Sequence, residues 1–506
     1  MTATRVHRIH RNTVFNAVTA VVTAFTYFIT GVVVARVLGP HTTGLYSLVN
    51  TTIVVVTTLS ATGFGFSVFK FVGQYDADDT RAVVSGITRF AARGGAFVTL
   101  GLAVALAVLA VPLANIFHQP DAVGFFLLAS VVLIPQALGR ILSSILQGLQ
   151  RQAVLLPIAT AQGLVLFGGS VVVLATGGGI TELLLVQLAS GLCSLAIYAV
   201  SLRGELRAAR HRHLDRPVRK RLVSYAGSLT LLSLVDLVVW QRSEVFFLAA
   251  FHPPSDVAFY SIGFAMADAV QRTLPAAFSG AVFPNLSRAF AVGDRSFMTR
   301  GYQDLIRFGF LFTLPIAVIG SILAVPIIET VYGDAYREAA VALAILLFSA
   351  GGQRVAYSFS SVLTAGDRER LLLGITVIWA VLNIVLALAL IPPFGVVGAS
   401  IANAGTQLIA VAAGPPVIAH VFGLSFPGRA VLRIVAAAVP MAIVVGAVAL
   451  LVANDVVAII LGGTVGLGVY AVAIVVTGAL EPRERQLARA SLARLLPPRV
   501  RAVLGG

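Results

Sequence analysis

Charge is what this sequence has least of. Only 11% of its 506 residues are Asp, Glu, Lys or Arg, where a soluble domain carries about 25%. A chain this long with so little charge cannot cover a water-facing surface, and a soluble globular fold is excluded. Cysteine occurs once, at Cys193 inside an apolar run. That rules out an intrachain disulfide framework and a cysteine-built metal site. His118, His252 and His420 stand far apart at the ends of apolar runs, so no metal site is expected. Lysine appears only as Lys70 and Lys220. Long polar loops are missing too, and with them any water-facing catalytic domain. No catalytic residue and no cofactor is expected. Asp76-Ala77-Asp78-Asp79 reads as a solvated turn rather than a metal–nucleotide site. No cleavable signal peptide is read, because the first apolar run is too long for one.

What the chain does have is apolar sequence, 58% of its residues. A hydrocarbon core of about 30 Å needs about 20 such residues in a helix. Runs of that kind lie at 12–37, 44–72, 86–112, 122–147, 153–176, 181–202, 222–250, 257–282, 305–331, 339–364, 370–391, 395–420, 430–452 and 456–479. Backbone groups in lipid must bond within their own segment, so the runs are helices. The expected fold is an all-α integral membrane protein with about fourteen transmembrane helices.

The net charge of +15 would suit nucleic acid, but its distribution argues for a membrane instead. With the amino terminus in the cytoplasm, 28 of the 36 Lys and Arg residues fall in cytoplasmic segments. Only Arg36 and Arg337 lie near the other side. This is the positive-inside pattern of a multi-pass protein of the cytoplasmic membrane, with both termini cytoplasmic. The bilayer is a partner and nucleic acid is not. Lys70 reads as a headgroup anchor.

An internal repeat divides the chain. LAVPLANIF at 109–117 recurs as LAVPIIETV at 323–331, and Pro40 with Tyr46-Ser47 recurs as Pro254 with Tyr260-Ser261, both at an offset of 214. LSSILQGLQR at 142–151 recurs as FSSVLTAGDR at 359–368, at an offset of 217. The offset spans six helices, so the halves are parallel repeats, and substrate sites are expected at their interface. The expected organisation is a six-helix lobe at 1–202, a basic linker at 203–221 and a second six-helix lobe at 222–424. Helices 13 and 14 at 425–480 follow, then a basic amphipathic cytoplasmic tail at 481–506. In that tail Leu487, Leu492, Leu495 and Leu496 would lie on the membrane.

With this layout the chain resembles the oligosaccharide and polysaccharide lipid flippases of the multidrug/oligosaccharidyl-lipid/polysaccharide (MOP) exporter superfamily. ARVLGPHTTGLYSLV at 35–49 is similar to that family's first loop, and the LAVP blocks resemble its third and ninth helices. The resemblance implies two lobes around a central cavity that rock between inward-open and outward-open states. It also implies a lipid-linked saccharide as substrate, with a glycan polymerase, ligase or glycosyltransferase as protein partner.

Polar residues inside the apolar runs are the candidate transport residues, since a buried charge costs about 2.5–3.5 kcal/mol at the bilayer centre on insertion scales. The seventh run carries Asp236, Trp240, Arg242 and Glu244, and the eighth carries Asp268 and Arg272 at i, i+4. The functional reading is a polar cavity in the second lobe for a headgroup or a coupling ion. The structural alternative is an Asp268–Arg272 pair that fixes packing, and Trp240 reads as packed rather than as a sugar platform. In the first run Asn12, Asn16, Thr19, Thr23, Thr26 and Thr30 share one face. They line a wet cavity or bond their own helix. That run offers no acid, so an ion site on a first-helix carboxylate, as in some multidrug exporters of the superfamily, is not supported. Gln136 and Gln353 are equivalent in the repeat, with Arg140 and Arg354 nearby. An Arg fork suits phosphate, while Arg140 stands near enough to its helix end to snorkel.

The resulting expectation is a flippase for a polyprenyl- or dolichyl-(pyro)phosphate-linked saccharide. The alternative is an ion-coupled drug or cation antiporter of the same superfamily, with Asp236, Glu244 and Asp268 as its acids. The coupling ion, Na⁺ or H⁺, is open. A membrane glycosyltransferase is disfavoured by the short basic loops.

Overall fold

The computed structural model describes residues 3–74, 81–209, 216–240, 243–270, 290 and 294–479. Among these residues every regular element is a helix. The first helices are α1 (Ala3–Gln74), α2 (Arg81–Ile116), α3 (Val123–Gly148), α4 (Leu155–Ala175) and α5 (Ile180–Ser201). They are followed by α6 (Arg203–Ala209), α7 (Arg216–Trp240), α8 (Glu244–Phe251) and α9 (residues 254–270). The remainder are α10 (Arg295–Ile322), α11 (Ala324–Tyr332), α12 (Ala339–Ala350), α13 (Gln353–Ala365), α14 (Glu369–Phe422), α15 (Gly428–Leu451) and α16 (Asp455–Val476). The segment read as a basic linker is therefore helical in part, as α6 and the first turns of α7. The carboxyl-terminal tail and the Asp76–Asp79 string lie outside the described residues.

Two helices are too long for one crossing. At 1.5 Å per residue, the 72 residues of α1 and the 54 of α14 far exceed a bilayer core. Each breaks at a glycine: α1 at Gly39 (φ 75°), followed by Pro40, and α14 at Gly395 (φ 51°), just after Pro392 and Pro393. Only a residue without Cβ adopts these angles without strain. Among the described residues, counting both arms of each and taking α7 with α8, α10 with α11 and α12 with α13 gives fourteen passes. "Distal" below means the ends reached at Gly39, and "proximal" means the opposite ends.

The backbone repeats with the sequence. Left-handed residues close equivalent helices at His118 and Gly333, at Gln150 and Asp367, and at Gly177 and Gly395. The offsets are 215, 217 and 218. At the middle pair the cap bonds also correspond, with Arg151 N to Leu146 O at 2.9 Å and Arg368 N to Leu363 O at 2.8 Å. Both are six-to-one closures of a helix end.

The described residues fall into two compact units. The first holds residues up to Ala265 together with Val331–Ala342 and Leu373–Thr406. Its proximal core joins α1, α2, α3 and α7 through Val68, Phe71, Ile87, Ile141, Ile145 and Leu222. Its distal ends bring segments of both repeats together. A Cβ on Gly44 would sit 1.6 Å from the carbonyl oxygen of Pro254. Arg36 Nε donates to Val331 O at 2.8 Å, and Phe117 stacks on Phe246 with centroids 6.2 Å apart. The Tyr336 hydroxyl is tied to Ala35 and Thr43. Burial raises its pKa above the ordinary phenol value, against a lowering by the Thr43 bond, so it keeps its proton.

The second unit packs the α15–α16 hairpin on α10. Gly462 and Gly466, one turn apart, admit Leu323, Ile319 and Val445, as small residues do between membrane helices. Tyr470 OH donates to Leu311 O at 3.1 Å. Asp294 caps α10 through Phe297 N at 3.0 Å. The Ser296 hydroxyl first, then the Phe297 amide, hold its carboxyl below the usual range. Large apolar side chains face outward throughout, with Leu450 89% and Leu451 85% exposed. Only lipid accommodates a surface of that kind.

Candidate functional site: a polar pocket in the first repeat and a buried acid in the second

The first repeat encloses a cavity of 370 Å³, within the range of about 300–1,000 Å³ usual for small-molecule sites. Helical periodicity aims polar residues into it from five faces. Thr23 and Tyr27 come from the first arm of α1, and Asn50 and Thr57 from the second. Gln136, Arg140 and Ser143 come from α3, at i, i+4, i+7. Gln162 comes from α4, and Gln187, Ser190, Ser194 and Tyr198 form a stripe on α5. Each set is one face of a helix.

Several of these groups are held in place. Gln187 Nε2 donates to Tyr46 OH and to Asn50 Oδ1, both at 2.7 Å, which ties α5 to α1. Arg140 Nη1 donates to Thr58 Oγ1 at 3.2 Å, so the guanidinium is steadied from the α1 wall. Ser190 Oγ donates to Gln162 O at 3.1 Å, joining α5 to α4. The lining therefore offers amides, hydroxyls and two phenols around one guanidinium. It contains no carboxylate among the described residues. That chemistry suits a polyhydroxylated ligand bearing negative charge, and among the described residues it offers a cation no negatively charged partner.

The first-helix stripe divides. Thr23 lines the pocket. Thr19, Thr26 and Thr30 each donate to the carbonyl four residues back, at 2.7, 2.9 and 2.7 Å. Thr26 also faces Gly163, where a Cβ would come within 2.9 Å of its hydroxyl. These three settle their own polar groups, and Thr26 packs α1 on α4. Of the repeat-related pair, Gln136 lies in the pocket wall. The side chains of Gln353 and Arg354 are outside the described residues, as are those of Asp236, Trp240, Arg242 and Arg272. Asp268 lies on α9, half-buried.

Glu244, fully buried at the start of α8, is the centre of a second constellation. Tyr260 OH donates to its Oε2 at 2.9 Å, and the Nδ2 groups of Asn383 and Asn403 each donate to its Oε1 at 3.0 Å. Asn383 Nδ2 is also 3.4 Å from Thr406 Oγ1, and Ser243 Oγ donates to Asn383 Oδ1 at 3.3 Å. Among the described residues the donors to this carboxylate are one phenol and two amides, all neutral. Sequence reasoning found Glu244 and missed its three donors. A lone Asn in the middle of each of two apolar runs was the available signal, since an amide in lipid needs a partner.

Comparisons with known proteins place the chain beside transporters. A family model described as polysaccharide biosynthesis protein matches residues 33–341. A second, described as lipid II flippase MurJ, matches residues 244–459. No curated protein matches the chain. Among solved structures, lipid II flippase MurJ in an inward closed conformation superposes with a TM-score of 0.71 at 13% identity, covering 90% of this chain and 97% of that one. An inward-facing multidrug resistance MATE family transporter of the MOP superfamily gives 0.66 at 14% identity, with 78% and 92% covered. A MOP superfamily transporter from Pyrococcus furiosus, described by the reverse polarity of its binding pocket, gives 0.57 at 14% identity, with 80% and 93% covered. At these identities the structural likeness concerns the fold.

Proposed function

Because the chain belongs to the polysaccharide biosynthesis protein family of the MOP superfamily, we propose that it moves a lipid-linked saccharide across the cytoplasmic membrane. The substrate is a sugar joined to a polyprenyl or dolichyl tail through phosphate or pyrophosphate, and it passes from the inner to the outer leaflet. The observation that carries this reading is the first-repeat pocket, with its amides and hydroxyls, one guanidinium and no acid among the described residues. Its amides and hydroxyls suit sugar hydroxyls, and the Arg140 fork suits a phosphate oxygen pair. The match to the lipid II flippase model over residues 244–459 supports the same substrate class.

In this reading the distal ends face outward, since the basic segments crowd the proximal side. The distal contacts between the repeats then close the outer side, and transport requires them to part. An inside-negative potential favours outward movement of an anion by about 2.3 kcal/mol per charge per 100 mV. Glu244 supplies a place where a proton or Na⁺ couples to the movement.

Reconstitution in proteoliposomes with a fluorescent lipid-linked oligosaccharide tests the proposal, scored by accessibility to a membrane-impermeant reagent. Translocation that depends on the protein and falls with Arg140→Gln supports it. The antiporter reading is favoured by Glu244 and by the MATE likeness. It predicts instead ion-coupled efflux of small cations with no effect of Arg140→Gln.

A further inference from the structure

On the proximal side of the first unit, away from both constellations above, α7 borders an open groove of 530 Å³. Its described lining is Lys220, Arg221, Ser224, Tyr225 and Ser228. Arg221, Ser224, Tyr225 and Ser228 follow i, i+3, i+4, i+7 and so share one face of the second to fourth turns of the helix. Lys70, from the end of α1, reaches the same place, its ammonium 4.2 Å from the Tyr225 ring centroid and 5.9 Å from that of Phe71. The Arg221 guanidinium lies 5.4 Å from the Phe71 centroid. Lys220 and Arg221 line the groove and Lys70 reaches its Tyr225 wall, so both lysines of the chain stand at this place.

Lys70 and Arg221 lie on two aromatic rings and Lys220 lines the groove beside them, so three like charges gather here and repel one another. Among the described residues none of the three is in a salt bridge. Cation–π contacts return only about 0.5–1 kcal/mol each at exposed sites, and the side chains of Lys220 and Arg221 line the groove. Ser228 Oγ donates back to Ser224 O at 3.0 Å, so of the two hydroxyls that line the groove it is Ser224 whose proton serves a ligand. Cationic N–H groups beside a serine hydroxyl at the level of a headgroup layer are the donor set of a phosphate site.

We propose that this groove binds a phosphate or pyrophosphate group at the proximal face, separately from the Arg140 pocket, and so receives the substrate headgroup before it is transported. The phosphate chemistry stands on the groove alone. That the phosphate belongs to a lipid rests on the proposed function.

The test uses the full chain in dodecyl maltoside, titrated calorimetrically with dodecyl phosphate, with dodecanol and with inorganic pyrophosphate. Dodecyl phosphate is expected to bind and dodecanol not to. Lys220→Gln, and separately Ser228→Glu, are expected to weaken binding by about tenfold or more, with the thermal midpoint unchanged. Competition by pyrophosphate identifies a soluble-phosphate site, and its failure to compete identifies a lipid headgroup site. Equal affinity in both variants, or dodecanol binding as well as its phosphate, overturns the proposal. If the binding and its loss in the variants persist while vesicles show no translocation, the flippase reading fails and the groove stands.

Discussion

The Tyr336 hydroxyl donates to the backbone carbonyl of Ala35 at 2.6 Å, across 301 residues of sequence. Thr43 lies on its other side at 2.9 Å and, with the phenolic proton engaged, is the donor there. Tyr336 sits in a short 3₁₀ turn, Asp334–Tyr336, that follows Gly333 at φ 93°. That residue of the second repeat therefore reads the backbone of the first where α1 nears its break. Helix ends that slide apart cannot keep both bonds. Tyr336→Phe removes them, each worth roughly 0.5–1.5 kcal/mol net, and the distal contacts are expected to open about tenfold more often. The check is maleimide labelling of Ala35→Cys in a Cys193→Ala background, since Ala35 is 1% exposed in the closed arrangement. Labelling at the parent rate would show that these bonds do not hold the distal side shut.

Gly44 makes the same region sensitive to a single methyl group. Its missing Cβ would overlap the Pro254 carbonyl at 1.6 Å, and that partner is backbone, which cannot rotate away. Gly44→Ala is therefore expected to spread the distal ends, at a cost in the range of about 1–3 kcal/mol typical of overpacking. It should accelerate the same labelling. Gly31→Ala serves as the control, because nothing lies within 4 Å of its Cβ position. If both variants label alike, the close approach at Gly44 has no role in closure.

Arg140 is the cation of the first-repeat pocket. Arg140→Gln keeps a donor to Thr58 and removes the charge. The loss of a charge-assisted bond to phosphate, roughly 1.5–3 kcal/mol, predicts a fall in headgroup affinity of about tenfold to a hundredfold. Arg140→Lys restores the charge without the planar fork and should recover only part of it. Binding of a lipid-linked sugar to the purified variants, read by fluorescence anisotropy, decides the matter. Full recovery by lysine would mean that charge alone, not bidentate geometry, serves the pocket.

The helices were legible because lipid permits so little else: among the described residues each of the fourteen apolar runs falls on a helical pass, and the repeated blocks at 142–151 and 359–368 end in the two matching helix caps. The breaks at Gly39 and Gly395 coincide with Pro-containing loops that any hydropathy scan separates. The sites were less legible. Hydropathy locates a helix without saying which of its faces meets which neighbour. Thr19, Thr23, Thr26 and Thr30 of the first arm of α1 share one stripe in sequence, yet of these four Thr23 alone lines the pocket. Arg140, which reads as a snorkelling residue from its distance to the helix end, is held beside Thr58 by a contact 82 residues away. Asn383 and Asn403 reach Glu244 across 139 and 159 residues. No local pattern encodes those distances.

Glu244 offers the sharpest separation of structural from functional roles. Its carboxylate accepts from Tyr260, Asn383 and Asn403 in a fully buried place. Glu244→Ala leaves three donors without their acceptor, at roughly 1–3 kcal/mol for each one buried and unpaired, and is expected to lower the thermal midpoint strongly. Glu244→Gln is nearly isosteric. Its Oε1 still accepts from both asparagines, and its Nε2 donates to the Tyr260 oxygen once that hydroxyl turns, so the fold should persist. What Gln cannot do is take up a proton or neutralise a cation. If Glu244 couples an ion to the movement, Glu244→Gln translocates substrate at a rate indifferent to imposed Na⁺ and pH gradients, while the parent protein responds to one of them. The gradient to which the parent responds identifies the ion. A Gln variant that folds and still answers the same gradient would assign coupling to another group and leave Glu244 as a purely structural acceptor.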